Sequence, residues 1–212
     1  FSYYKWWKNL DKFILSLIIT LFLVGLFFSL VSTSLIASDK LDTNSYFFFF
    51  KHLTFVIIGL AIIFIFSYMD QEILYKTSVY TFCLSFLLLF LVPIFGVEVN
   101  GSKRWLDLFF LPRLQPIELV KPFFIIVLCL IITYEKLSNF SLKFTFSLML
   151  TLLIISFLII QPDLGQTLLI AFIWSVLIFI SGINIIFLIN SCSFLSIALY
   201  YSIIFVPKFE YI

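Results

Sequence analysis

Two polar segments separate long apolar runs, and each gathers residues able to do chemistry. The first runs Gly96-Val-Glu98-Val-Asn100-Gly101-Ser102-Lys103-Arg104-Trp105-Leu-Asp107 and continues through Pro112-Arg113-Leu-Gln115-Pro116-Ile-Glu118-Leu-Val-Lys121-Pro122. Lys103, Arg104 and Arg113 place three cations in a loop beside a membrane. The two guanidinium forks suit the paired oxygens of a phosphate. An ordinary loop whose charges are solvated is the competing reading, and spacing alone leaves both open. Asn100-Gly101 is a turn signal. Trp105 with its Leu and Phe neighbours is compatible with a short amphipathic segment on the membrane surface.

Pro116 fits the first position of a helix, and Glu118 then falls in the first turn, where a negative charge complements the helix dipole. Lys121 fits less easily, because a cation held at mid-membrane costs about 2.5–3.5 kcal/mol on insertion scales. Glu118 and Lys121 are three residues apart, so they share a helix face and can pair. They either neutralise each other and pin the helix, or line a polar cavity, and the second reading is preferred for intramembrane charges.

The second polar segment is Gln161-Pro162-Asp163-Leu164-Gly165-Gln166-Thr167. Asp163 is placed to cap the following helix, and Gln166 three residues on would complete something close to a capping box. His52, the one histidine, has no carboxylate or hydroxyl partner nearby in sequence and is expected at an interface. Ser29, Ser32, Thr33 and Ser34 can bond within or between helices and need no special role. Cys83, Cys129 and Cys192 each lie in an apolar run without metal-ligand spacing, so they are expected to be small buried hydrophobes.

The elements that must position these groups are membrane helices. Of 212 residues, 63% are hydrophobic and 11% charged, with mean hydropathy +1.21. Soluble domains run at about 45–50% apolar and about 25% charged, so a water-soluble fold is excluded. The 30 Phe are spread through every apolar run, as lipid-facing and packing bulk. A net charge of +2 with scattered lysines gives no reason to expect nucleic acid.

A spanning helix needs about 20 apolar residues at about 1.5 Å each. By that measure about seven spans are expected, near 13–36, 46–69, 74–95, 116–134, 143–160, 164–183 and 185–206, in one all-α transmembrane domain covering 1–212. The first run is too long for a signal peptide, and Lys5, Lys8 and Lys12 with Tyr3, Tyr4, Trp6 and Trp7 should hold its start at the cytoplasmic face. Counted over all loops the basic residues tie, six on each side, so the first span sets an N-inside orientation. The segment 96–115 then becomes an extracytoplasmic motif loop. The start at Phe1 and the unmarked end at Ile212 are expected of a piece of a longer protein, truncated at its C-terminus.

Three motifs now stand in order: Gly101-Ser-Lys103-Arg104-Trp105-Leu, Gln115-Pro116-Ile-Glu118-Leu-Val-Lys121 and Gln161-Pro162-Asp163-Leu-Gly165. Together they resemble the signature segments of the shape, elongation, division and sporulation (SEDS) family, to which FtsW and RodA belong. Ile117 stands where that family usually has a small residue. Trp6-Trp7-Lys-Asn-Leu-Asp11, Val97-Glu98-Val99 and Gly165-Gln166-Thr167 look more like the FtsW branch.

The resemblance implies the N-terminal part of a ten-helix enzyme of the bacterial cytoplasmic (inner) membrane. Such an enzyme polymerises lipid II, an undecaprenyl-diphosphate-linked disaccharide-pentapeptide, into glycan strands during division. Implied partners are a class B penicillin-binding protein and other division proteins. The family's catalytic aspartate is expected beyond Ile212, so no catalytic base is assigned within the chain. Lys103, Arg104 and Arg113 are the candidates for the lipid-linked diphosphate. Trp105, Gln115, Glu118, Lys121, Asp163 and Gly165 are the cavity and motif residues. No cofactor or metal ligand set is evident in the sequence. A lipid II flippase, a RodA-type elongation polymerase and a non-catalytic division scaffold are the alternatives.

Overall fold

Apolar runs with no water to bond must satisfy their own backbone groups, and helices do so within one segment. The computed structural model describes residues 6–8, 10–41, 46–99, 102–107, 113–135, 140–182, 186, 189–191, 193 and 196. Their elements are α1 (Lys12–Leu41), α2 (Phe47–Tyr68), α3 (Gln71–Phe95), β1 (Val97–Val99), β2 (Ser102–Trp105), α4 (Pro116–Thr133), α5 (Phe140–Ile160) and α6 (Leu164–Ile180). Among the described residues, α1 to α5 are long and apolar enough to cross a bilayer, and α6 is a shorter apolar helix. It ends at Ser181-Gly182, where Gly182 adopts φ 84°, the left-handed conformation that commonly closes a helix. The expected seventh span, 185–206, falls mostly outside the described residues.

The chain divides into two units, Phe1–Leu74 and Tyr75–Ile212. In the first, Asp11 Oδ1 accepts from the amides of Phe13 and Ile14, capping α1. Antiparallel α1 and α2 approach where glycines leave room. A Cβ on Gly25 would lie 3.6 Å from His52 Nε2, and one on Gly59 would lie 3.7 Å from Phe22. His52 therefore packs beside Gly25 of α1. Trp6 donates from its indole to Ser67 Oγ at 3.0 Å and packs against Phe64 and Tyr68.

The second unit has a packed interior, because its helices carry stripes at three- and four-residue spacing. Ser78, Phe82, Ser85, Leu89 and Val92 are the buried stripe of α3; Pro116, Ile117, Val120, Phe124 and Leu128 that of α4; and Thr167, Ile170, Ala171, Trp174 and Ile178 that of α6. Ile154, Ile155 and Leu158 of α5 complete the core. Phe82 stacks on Phe124, and Phe86 and Phe90 meet Phe157 edge-on. Trp174 is fully buried and donates to Ser147 Oγ at 3.2 Å. The Phe residues thus both fill the core and line the outer surface. Cys83 and Cys129 lie on exposed helix faces, which corrects the buried reading: in a lipid solvent an exposed face can be fully apolar, so an apolar run does not distinguish core from surface. Cys192 lies outside the described residues.

Gly96 ends α3. Its amide bonds Val92 O at 2.7 Å, and a Cβ there would come within 2.3 Å of that oxygen. The chain then enters an antiparallel hairpin, with Glu98 opposite Lys103, Val99 opposite Ser102, and an irregularity that sets Val97 opposite Trp105. The loop expectation for 96–115 is corrected here: Val97, Val99 and Trp105 favour strands, and Asn100-Gly101 is a hairpin-turn pair, itself outside the described residues. Trp105 is a half-buried strand residue. An isolated bridge between Leu106 and Leu114 draws the end of the loop back beside the hairpin.

Candidate functional site

α3 and α5 finish, and α4 and α6 begin, at the same end of the second unit, and the hairpin joins them there. The contacts follow from the three motifs. Gln161, buried at the end of α5, donates from Nε2 to Leu89 O of α3 at 3.4 Å. Its own carbonyl accepts from Arg104 Nε at 3.3 Å, and the Pro162 carbonyl accepts from Arg104 Nη2. Arg104 Nη1 lies 3.8 Å from Asp163 Oδ1. All three guanidinium nitrogens are therefore directed at the α5–α6 turn.

Asp163 is the centre of the group, with its side chain only 8% exposed. Oδ1 accepts from the Gln166 amide at 3.4 Å, so Asp163 does cap α6. Oδ2 accepts from Gln115 Nε2 at 3.2 Å. Gln115, at the N-cap position of α4, thus caps nothing and ties α4 to α6. The capping box is only half made. Gln166 Nε2 donates to Glu118 Oε1 at 3.0 Å, and the Asp163 amide, which a full box would give to the Gln166 side-chain oxygen, donates instead to Leu158 O at 3.0 Å.

Lys121 Nζ meets Glu118 Oε2 at 2.7 Å, within one face of α4. Glu118 is half exposed and Lys121 mostly buried, so the pair straddles the edge of the unit. Apolar grooves lie elsewhere. One is lined by Trp6, Phe64, Tyr68 and Ile73 in the first unit, the other by Val79, Val127, Tyr134 and Phe146 in the second.

The remaining candidates stand apart from this network. Arg113 lies 3.8 Å from Asp107, both more than half exposed, a geometry worth little in solvent. Among the described residues Lys103 is held in no ion pair, although Glu98 is its cross-strand neighbour. Gly165 has open space where a Cβ would point, so no packing demand explains it. Sequence reasoning gave Gln161 and Gln166 no tertiary role. The polar interruption was visible, but the partners of two amides cannot be read from spacing along one chain.

Among the described residues, six apolar helices, with a strand hairpin held to an acidic helix N-terminus by a half-buried arginine, define a multi-pass membrane protein with a polar site at one end of its second unit. A family model for the FtsW, RodA and SpoVE proteins, described as "Cell cycle protein", matches residues 11–211, and the chain belongs to that family. A Coxiella burnetii protein named "Probable peptidoglycan glycosyltransferase FtsW" is 31% identical over 179 residues, covering 82% of this chain and 48% of its own length. Its Haemophilus influenzae namesake is 30% identical over 177 residues, covering 82% of this chain and 44% of its own. The chain spans about half the length of the curated relatives it matches. The fold matches a crystal structure of Thermus thermophilus rod shape determining protein RodA, with a TM-score of 0.67 at 22% identity over 91% of this chain and 60% of that one. It also matches a chain in a solved structure described as "Structural coordination of polymerization and crosslinking by a peptidoglycan synthase complex", with a TM-score of 0.63 at 23% identity over 91% of this chain and 56% of that one.

Proposed function

We infer that the complete protein to which this chain contributes is a peptidoglycan glycosyltransferase of the FtsW kind, polymerising lipid II during division. The observation that carries this reading is the family match through all three motifs, together with their convergence on Asp163 at one end of the bundle. That end faces the extracytoplasmic side in this reading, with the N-terminus in the cytoplasm. Lys103 and Arg113 supply positive charge for the departing diphosphate, where electrostatic stabilisation acts most strongly. The base that activates the sugar hydroxyl comes from outside this chain. The matched peptidoglycan synthase complex, which couples polymerization to crosslinking, supports a partner that cross-links the product, a class B penicillin-binding protein.

Purified complete protein, given lipid II in detergent with no bilayer to cross, should form glycan strands. Lipid movement in vesicles without polymerisation would assign it to a flippase instead. For orientation, a cysteine at Ser102 in a background lacking the native cysteines should react with an impermeant maleimide on intact cells. Labelling only after permeabilisation would invert the topology.

A further inference from the structure

We propose that Arg104 is a positioning residue that fastens the hairpin to the α5–α6 turn, and that it does not itself hold the anionic substrate. Like Arg113, it carries a fork suited to the paired oxygens of a diphosphate. In the fold that fork is already engaged. Nε and Nη2 donate to the Gln161 and Pro162 carbonyls, and Nη1 lies beside a nearly buried carboxylate. To reach a ligand the guanidinium would have to leave two buried carbonyls without their donor and the nearly buried Asp163 without its countercharge, which is the expensive direction for buried acceptors.

Strand geometry adds a second argument. Successive side chains of a strand point to opposite faces, so anchoring Arg104 onto the turn presents Lys103 on the other face of β2. Asp163 also receives Gln115 from α4 and caps α6, so the same carboxylate sets the hairpin, α4 and α6 relative to one another. Arg104 acts on the reaction through that placement.

The kinetic part of the test rests on the polymerase reading; the structural part does not. In the purified complete protein, Arg104→Ala should speed hydrogen exchange of the β2 amides by about tenfold or more, the scale of losing charge-assisted hydrogen bonds. Arg104→Ala combined with Asp163→Asn should exchange no faster than the quicker of the two single variants. Arg104→Lys should fail to restore protection, because an ammonium is a point donor and not a fork. Lys103→Ala should leave exchange unchanged. In lipid II polymerisation, Arg104→Ala should lower kcat while KM stays within about twofold, as for a residue that places the site without binding ground-state substrate. Unchanged β2 exchange in Arg104→Ala would overturn the proposal. So would a rise in KM of about tenfold with kcat retained and recovery in Arg104→Lys, the pattern of a direct substrate contact. If the wild-type protein polymerises nothing, the exchange measurements alone decide the role of Arg104, and the failure belongs to the polymerase reading.

Discussion

α1 and α2 of the first unit and α4 and α5 of the second are all long and apolar enough to cross a bilayer, yet they are packed very differently. None of the apolar stretch of α1 is buried in protein and only 6% of that of α2, against 33% for α4 and 28% for α5. Hydroxyl content does not separate them, because Ser16 and Thr20 of α1 bond back to their own helix just as Ser85 and Thr151 do in the second unit. Placement does. In α3, α5 and α6, Ser78, Ser85, Ser147, Thr151, Thr167 and Ala171 fall on buried faces, where they permit close approach, while Ser16 and Thr20 of α1 stand exposed. Lipid is as apolar as leucine, so hydropathy alone gives helices no reason to associate.

Matched substitutions in the two units sharpen this contrast. The largest difference is expected between two helix-capping aspartates. Asp163→Ala removes the hub that holds Arg104 and Gln115 and should cost about 4 kcal/mol, the scale of stranding a buried charge. Asp11→Ala should cost about 1 kcal/mol, the value of a cap alone. Reversible unfolding of the complete protein in mixed micelles measures both, and equal losses would reduce Asp163 to a cap.

Aromatic truncation comes next. Trp174→Ala should cost about 3 kcal/mol, combining a core cavity with the loss of its bond to Ser147. Phe27→Ala, on an exposed face, should stay within about 0.5 kcal/mol. A comparable loss at Phe27 would show that α1 is covered by protein and not lipid.

Two glycines give a smaller effect. Gly96→Ala should cost about 2 kcal/mol, since its Cβ cannot fit against Val92 O without moving the hairpin. Gly25→Ala meets only ordinary contact with His52 and should be nearly neutral in the same assay.

The smallest stability change, and the sharpest functional one, belongs to Glu118 and Lys121. Glu118→Ala should cost only about 1–2 kcal/mol, because half of that carboxylate faces solvent. The double replacement Glu118→Gln with Lys121→Met should regain stability yet fail to polymerise lipid II if the pair organises the site. Recovery of both stability and activity would make it a structural staple.

The sequence by itself determined the membrane class, the boundaries of most spans, the family, and the three motifs. Those properties depend on local composition and on order along the chain. Apolar length sets a helix, Pro116 marks a helix start, and Asp163 before Leu164-Gly165-Gln166 marks a cap. Only the tertiary structure decided what the polar residues bond to. Gln166 looked like a local capping group and Gln115 only like a motif residue, and each side-chain amide donates to a charged acceptor on a neighbouring helix. Arg104 looked like a ligand-binding fork and is spent on two carbonyls 57 and 58 residues away. Where water is scarce, a donor takes the best acceptor within reach in space, and that acceptor is chosen by how the helices pack.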